Sequence, residues 1–142
     1  MSDLALIVDD NSTDMKLQSE ILQLDGFAVQ KAGDAESAQR LLESLLPDVI
    51  LMDIALPGMD GLMLTKLIKS DARFRQVPVI ALTAFAMKGD DRAAVDAGCD
   101  GYITKPIDTR RFAEQVRGVQ RMMRLKVSEP SASRQPRPVS RR

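Results

Sequence analysis

Residues 48–53 read Asp48-Val49-Ile50-Leu51-Met52-Asp53, four consecutive apolar side chains closed at each end by a carboxylate. The run has the length of a strand, and apolar side chains on both faces are what a strand covered on both sides requires. Working outward, similar short runs recur at Leu4-Asp9 (LALIVD), Phe27-Lys31 (FAVQK), Val77-Leu82 (VPVIAL) and Asp100-Thr104 (DGYIT). Longer amphipathic stretches separate them. Ser12–Leu24 places Met15, Leu17, Ile21, Leu22 and Leu24 mostly at helical spacing, with Asn11 or Ser12 as cap and Gly26 beyond its end. Further helices are expected over Ala35–Leu46, capped by Asp34 and stopped by Pro47, and over Gly61–Ser70, Met87–Ala97 and Asp108–Lys126, with Gly98 at a helix C-terminus.

Strict alternation of strand and helix implies an α/β fold, a parallel sheet with right-handed crossovers and helices on both faces. Five of each predict the flavodoxin-like, doubly wound order 2-1-3-4-5, in which ligands bind at the carboxyl ends of the strands. One domain, residues 1–126, accounts for the length, and the Ser-, Pro- and Arg-rich residues 127–142 are expected to be a disordered tail.

Composition narrows the function. Acidic and basic residues balance at 20 each, which points to neither nucleic acid nor a membrane surface. Arginines in the tail make it basic and leave the rest mildly acidic. The single cysteine, Cys99, permits no internal disulfide and suits a reducing, cytoplasmic setting; it reads as a small buried apolar residue whose neighbour Asp100 would raise its pKa. No stretch approaches the length of a membrane span, and the N-terminus lacks an export signal. There is no histidine, so His-based zinc sites, Ser-His-Asp triads and a phosphohistidine on this chain are excluded.

The polar residues at the strand ends carry the chemistry. Asp9 and Asp10 close the first strand, Asp53 the third, Thr83 the fourth, and Lys105 follows the fifth, so all five map to one rim. Clustered carboxylates repel unless they are protonated or share a cation, and an all-oxygen site suits Mg²⁺. With a fixed ammonium and a hydroxyl donor beside it, this is a cradle for a transferring phosphoryl group. Each residue taken singly has a plainer reading, as helix-cap acid, solvent-facing carboxylate, strand hydroxyl or surface cation. Their joint arrangement outweighs those readings.

The acidic pair Asp9-Asp10, LMDIALPGMDGL around Asp53, LTAFA around Thr83, and Tyr102 followed by Lys105-Pro106 resemble the response-regulator receiver (CheY-like) domains of two-component signalling, over about residues 4 to 124. TAFAMKGD and YITKPI resemble more particularly the stand-alone DivK-type receivers of alphaproteobacterial cell-cycle control. The resemblance implies that Asp53 accepts a phosphoryl group from phosphohistidine, on a histidine kinase or a histidine phosphotransfer protein. It implies Mg²⁺ held by Asp9, Asp10, Asp53 and the carbonyl of Ala55, and phosphoryl oxygens bound by Thr83, Ala84 and Lys105. It makes Thr83 and Tyr102 the switch, and Pro106 a cis-proline. Ala55 and Phe85, two residues after Asp53 and Thr83, would tune hydrolysis of the phosphoryl group and slow it.

A dehalogenase-like phosphatase is a poorer match, because Asp53-Ile54-Ala55 lacks a second acid and follows the third strand. A degenerate receiver that only binds protein is disfavoured by the complete set of acceptor-site residues. The residues after Lys126 are too few and too polar for a DNA-binding domain, so output is expected through contacts with a downstream signalling protein, without nucleic acid or membrane.

Overall fold

The computed structural model describes residues 3–54, 60–83 and 90–128. Five parallel strands, β1 (Leu4–Val8), β2 (Ala28–Ala32), β3 (Val49–Asp53), β4 (Val79–Thr83) and β5 (Gly101–Thr104), form one sheet in the order β2-β1-β3-β4-β5. The helices are α1 (Ser12–Leu24), α2 (Ala35–Leu42), α3 (Gly61–Ser70), α4 (Asp90–Ala97) and α5 (Phe112–Ser128). The three runs richest in Val, Ile and Leu are the central strands, and β3 and β4 are buried at every residue. The edge strand β2 is largely exposed, with Ala32 its one buried residue.

Side-chain alternation divides the interior into two cores. Ala5, Ile7, Leu51, Ile80, Leu82 and Ile103 pack against Leu22 of α1 and Phe112 and Val116 of α5. On the other face, Leu6, Val8, Ile50, Met52 and Val79 pack against Ala38 and Leu42 of α2 and Leu64 and Ile68 of α3. Burial of each large apolar side chain stabilises the fold by roughly 1.5–3 kcal/mol before ordering costs.

Local chemistry fixes the helix ends. The side chains of Asn11, Asp34 and Asp60 accept from the main-chain N–H groups of Asp14, Ser37 and Met63, each three residues on. Gly26 and Gly98 adopt φ of 100° and 104°, the left-handed conformation that ends α1 and α4.

Expected bounds shift in α2 and α5, and β4 starts at Val79 rather than Val77. The second helix stops at Leu42 rather than Leu46, because Glu43 and Ser44 donate to carbonyls only three residues back and Pro47 keeps its predecessor out of the helical region. The last helix starts at Phe112 rather than Asp108, whose side chain accepts from the N–H of Arg110 in a preceding turn, and it continues to Ser128. A short 3-10 turn at Ala72–Phe74 was not expected. Residues 127 and 128, expected to open the disordered tail, belong instead to the last helix. The expected start of the fourth helix at Met87 and the rest of the tail, from residue 129, lie outside the described residues.

The amino ends of the strands carry a polar clamp. One oxygen of Asp3 accepts from Arg117 at 3.0 Å, Gln120 at 3.1 Å and Arg124 at 3.3 Å. Arg117 also donates to the Asp25 carboxylate at 3.0 Å and lies 3.9 Å over the Phe27 ring. This network ties the start of β1 to the last helix.

Candidate functional site

Parity places the charged residues at the opposite rim. Ile7 and Leu51 lie side by side, as do Leu51 and Ile80, and Leu82 and Ile103, and this row faces α1 and α5. One pleat further along the same strands come Asp9, Asp53 and Lys105. The ladder persists that far: the N–H of Asp9 donates to Ala32 O at 3.0 Å, and that of Lys105 to Thr83 O at 2.7 Å. The sheet therefore delivers two carboxylates and an ammonium to the same side, where the first turns of α1 close over them. Thr83 pairs with Thr104 and Ala81 with Tyr102, so Thr83 and Tyr102 lie one pleat apart on the other face of adjacent strands. Thr83 is buried and Tyr102 half-buried.

Asp9 is 1% exposed and Asp53 6%, while Asp10 is open to solvent. One oxygen of Asp9 accepts from the N–H of Asn11 at 2.9 Å, and the other from Gln18 Nε2 at 3.1 Å. That second oxygen also meets Lys105 Nζ at 2.9 Å. The ammonium lies 3.2 Å from Asp14 and 3.7 Å from Asp53. Burial works against its charge, but the hydrogen bond to Asp9 and the fields of Asp9 and Asp53 outweigh that and raise the Lys105 pKa above the ordinary lysine value.

Oxygens of Asp9, Asp10 and Asp53 all lie within 4.8 Å of one another. Opposite ligands of an octahedral Mg²⁺ stand about 4.2 Å apart, so small side-chain adjustments suffice to hold such an ion. Oxygen-only, anionic donors with one exposed member fit a hard cation that keeps part of its water.

Asp9, Asp10, Asp53, Thr83 and Lys105 are thus gathered at one rim, and the Lys105–Pro106 peptide bond is cis. Ala55, Ala84 and Phe85, expected near the metal and the phosphoryl group, lie outside the described residues. Sequence reasoning passed over Asp14 and Gln18, both of which reach the site from α1. Their four-residue spacing on a helix that begins two residues after Asp10 was the available signal, since it stacks them on one helix face.

Residues 5–117 match the family described as response regulator receiver domain. The chain belongs to that family. Among curated receivers, the polar-differentiation response regulator DivK of Brucella ovis is 42% identical over 117 residues, 82% of this chain and 95% of the relative. The DivK of Brucella anthropi is 43% identical over 112 residues, 79% of this chain and 91% of that protein. Among solved receivers, that of a Pseudomonas aeruginosa sensor histidine kinase, with a magnesium ion coordinated in its active-site cleft, superposes with a TM-score of 0.75 at 35% identity, covering 87% of this chain and 98% of that one. A response regulator from Chloroflexus aurantiacus gives a TM-score of 0.82 at 28% identity, covering 85% and 99%. The acidic rim of this receiver therefore occurs in a signalling family of DivK-like and CheY-like domains. No helix among the described residues is long and apolar enough to cross a membrane.

Proposed function

We propose that this receiver accepts a phosphoryl group on Asp53 from phosphohistidine, on a histidine kinase or histidine phosphotransfer protein, and signals by contacts with a downstream protein. The observation that carries the reading is the convergence of Asp9, Asp10 and Asp53 within 4.8 Å, with Lys105 beside them. The magnesium in the Pseudomonas aeruginosa receiver supports the same cation here, held by Asp9, Asp10, Asp53 and the Ala55 carbonyl. When bound, it supplies neutralising charge for the carboxylates and the phosphoryl oxygens.

In the transfer, a carboxylate oxygen of Asp53 forms the new bond to phosphorus. The phosphorus–nitrogen bond of the donor breaks, and its electron pair stays on the imidazole. Lys105 and the Thr83 hydroxyl, with the main chain of Ala84, hold phosphoryl oxygens as charge develops on them. Drawing Thr83 toward the phosphoryl group shifts the population of Tyr102 orientations, and the α4–β5–α5 face reads the change. The lone cysteine and the likeness to DivK favour a cytoplasmic setting, without nucleic acid or membrane as partner.

Incubating the wild type and Asp53→Asn with Mg²⁺ and acetyl phosphate, or with a phosphohistidine donor, tests the reading. Base-labile label is expected on the wild type alone, because an amide is a poor nucleophile. Equal labelling of both proteins excludes Asp53 as the acceptor.

A further inference from the structure

The site holds an acid that the transfer itself does not call for. Asp14 lies in the first turn of α1, where its main-chain N–H completes the cap by donating to Asn11 Oδ1 at 2.9 Å. Its side chain is directed elsewhere, with Oδ2 3.2 Å from Lys105 Nζ. The three acids around that ammonium differ in burial: the side chains of Asp9 and Asp53 are 2% and 8% exposed, and that of Asp14 is 40% exposed. Lys105, itself 13% exposed, lies between an inner pair and an outer acid.

We propose that Asp14 is a positioning residue that competes with the phosphoryl group for Lys105 and so lowers the affinity of the site for phosphoryl oxygens. An ammonium has three donors. Asp9 and Asp14 lie at hydrogen-bonding distance, whereas Asp53, at 3.7 Å, is an ion-pair partner only. A phosphoryl group on Asp53 brings oxygens toward Lys105, and the ammonium must turn to meet them. Its contact with Asp9 is hard to release, because Asp9 is buried and pinned from two sides by Asn11 and Gln18. The contact with Asp14 is nearer solvent, where water takes up the freed carboxylate, so its release costs less than that of the Asp9 contact while still opposing phosphoryl binding. It is the bond exchanged. Asp14 also adds a negative charge near an incoming anion, which disfavours occupancy by small anionic phosphoryl donors.

The inference rests on the proposed role of Lys105 at the phosphoryl group, and the test separates the two. Wild type, Asp14→Asn and Asp14→Ala are titrated with beryllium fluoride, a phosphoryl mimic, at saturating Mg²⁺, and binding is followed through the amide NMR spectrum. Both variants should bind about five- to tenfold more tightly, with a gain that shrinks at high salt. In a Lys105→Gln background the same substitutions should gain less than about twofold. If that background does not fold, the Lys105 side-chain ammonium resonance replaces it, and it should shift in Asp14→Asn without any ligand. Unchanged or weaker binding by the Asp14 variants overturns the inference. So does an undiminished gain without Lys105, or an unmoved ammonium resonance. A wild type that does not bind the mimic at all sinks the phospho-acceptor reading, and this inference with it.

Discussion

Gly61, the first residue of α3, abuts the main chain of the strand that ends in Asp53: a methyl group on it would overlap the Asp53 carbonyl oxygen and stand 2.8 Å from the Ile54 Cα. The Gly61 N–H donates to Ile54 O at 3.2 Å, so the close approach is also a tether. Gly61→Ala should therefore push the acceptor strand end away from α3. Expected are a loss of about 1–3 kcal/mol in a urea titration and slower labelling of Asp53. Wild-type behaviour in both would show that the rim can yield at that point.

Gln18 is 2% exposed and donates to Asp9 at 3.1 Å. Replacing it with Leu keeps the volume near that of the amide and removes the donor to a buried carboxylate. The variant should lose about 1.5–3 kcal/mol without metal, as for other hydrogen bonds to charged groups. Because Asp9 is then less firmly oriented, Mg²⁺ affinity measured by calorimetry should also fall. A variant as stable as the wild type would place the orientation of Asp9 in Lys105 and Asn11 alone.

Cys99 is pushed up to about 11, first by burial and further by Asp100, against the opposing effects of Thr65 and Lys69. At pH 8 the thiolate should be about 100-fold scarcer than in the unfolded chain, and alkylation by iodoacetamide slower by a similar factor. The folded pKa lies above the unfolded value of 9.0, so the native state holds the proton more tightly between 9.0 and about 11. Stability contributed by the neutral thiol is full below pH 9 and falls as pH rises through that window. Cys99→Ala should lose less stability over the same interval. Alkylation as fast in the native protein as in urea would contradict the burial of the thiol.

Ala55 has no polar group that could align a water with a phosphoryl group on Asp53, and we propose that Phe85, two residues after Thr83, gives apolar cover. The phosphorylated form should therefore be long-lived without a partner. Ala55→Asn and Phe85→Ala should each release phosphate about tenfold faster or more, as positioning effects on water allow. Equal or slower release in both would remove these two positions from any role in guarding the phosphate.

Much of this was legible in the sequence because the strong signals are local. Uninterrupted apolar runs mark β1, β3 and β4, whereas the edge strands β2 and β5 carry weaker patterns; every strand nevertheless has a bound that moved by a residue or two, most at β4, which starts at Val79 rather than Val77. Strand direction then fixes the rim, which is why Asp9, Asp53 and Lys105 could be brought together from residue order alone. Gln18 was not legible as a site residue, since a polar side chain in an amphipathic helix ordinarily faces water. Asp14 was hidden for the same reason, its first-turn position being sufficient explanation for an acid. Their four-residue spacing marks one helix face, but which way that face turns depends on how α1 settles over the sheet, a tertiary property that the spacing alone does not encode.

The clamp of Asp3, Arg117, Gln120 and Arg124 also says where neighbouring polypeptide can attach. Because α5 runs back from the end of β5, residue 3 and the carboxyl end of the last helix both lie toward the pole remote from Asp53. A fluorescent protein, an affinity handle or a whole further module joined there would leave clear the acidic rim at which the proposed phosphoryl donor would enter. The domain behaves as a cartridge with its connections at one end and its working opening at the other.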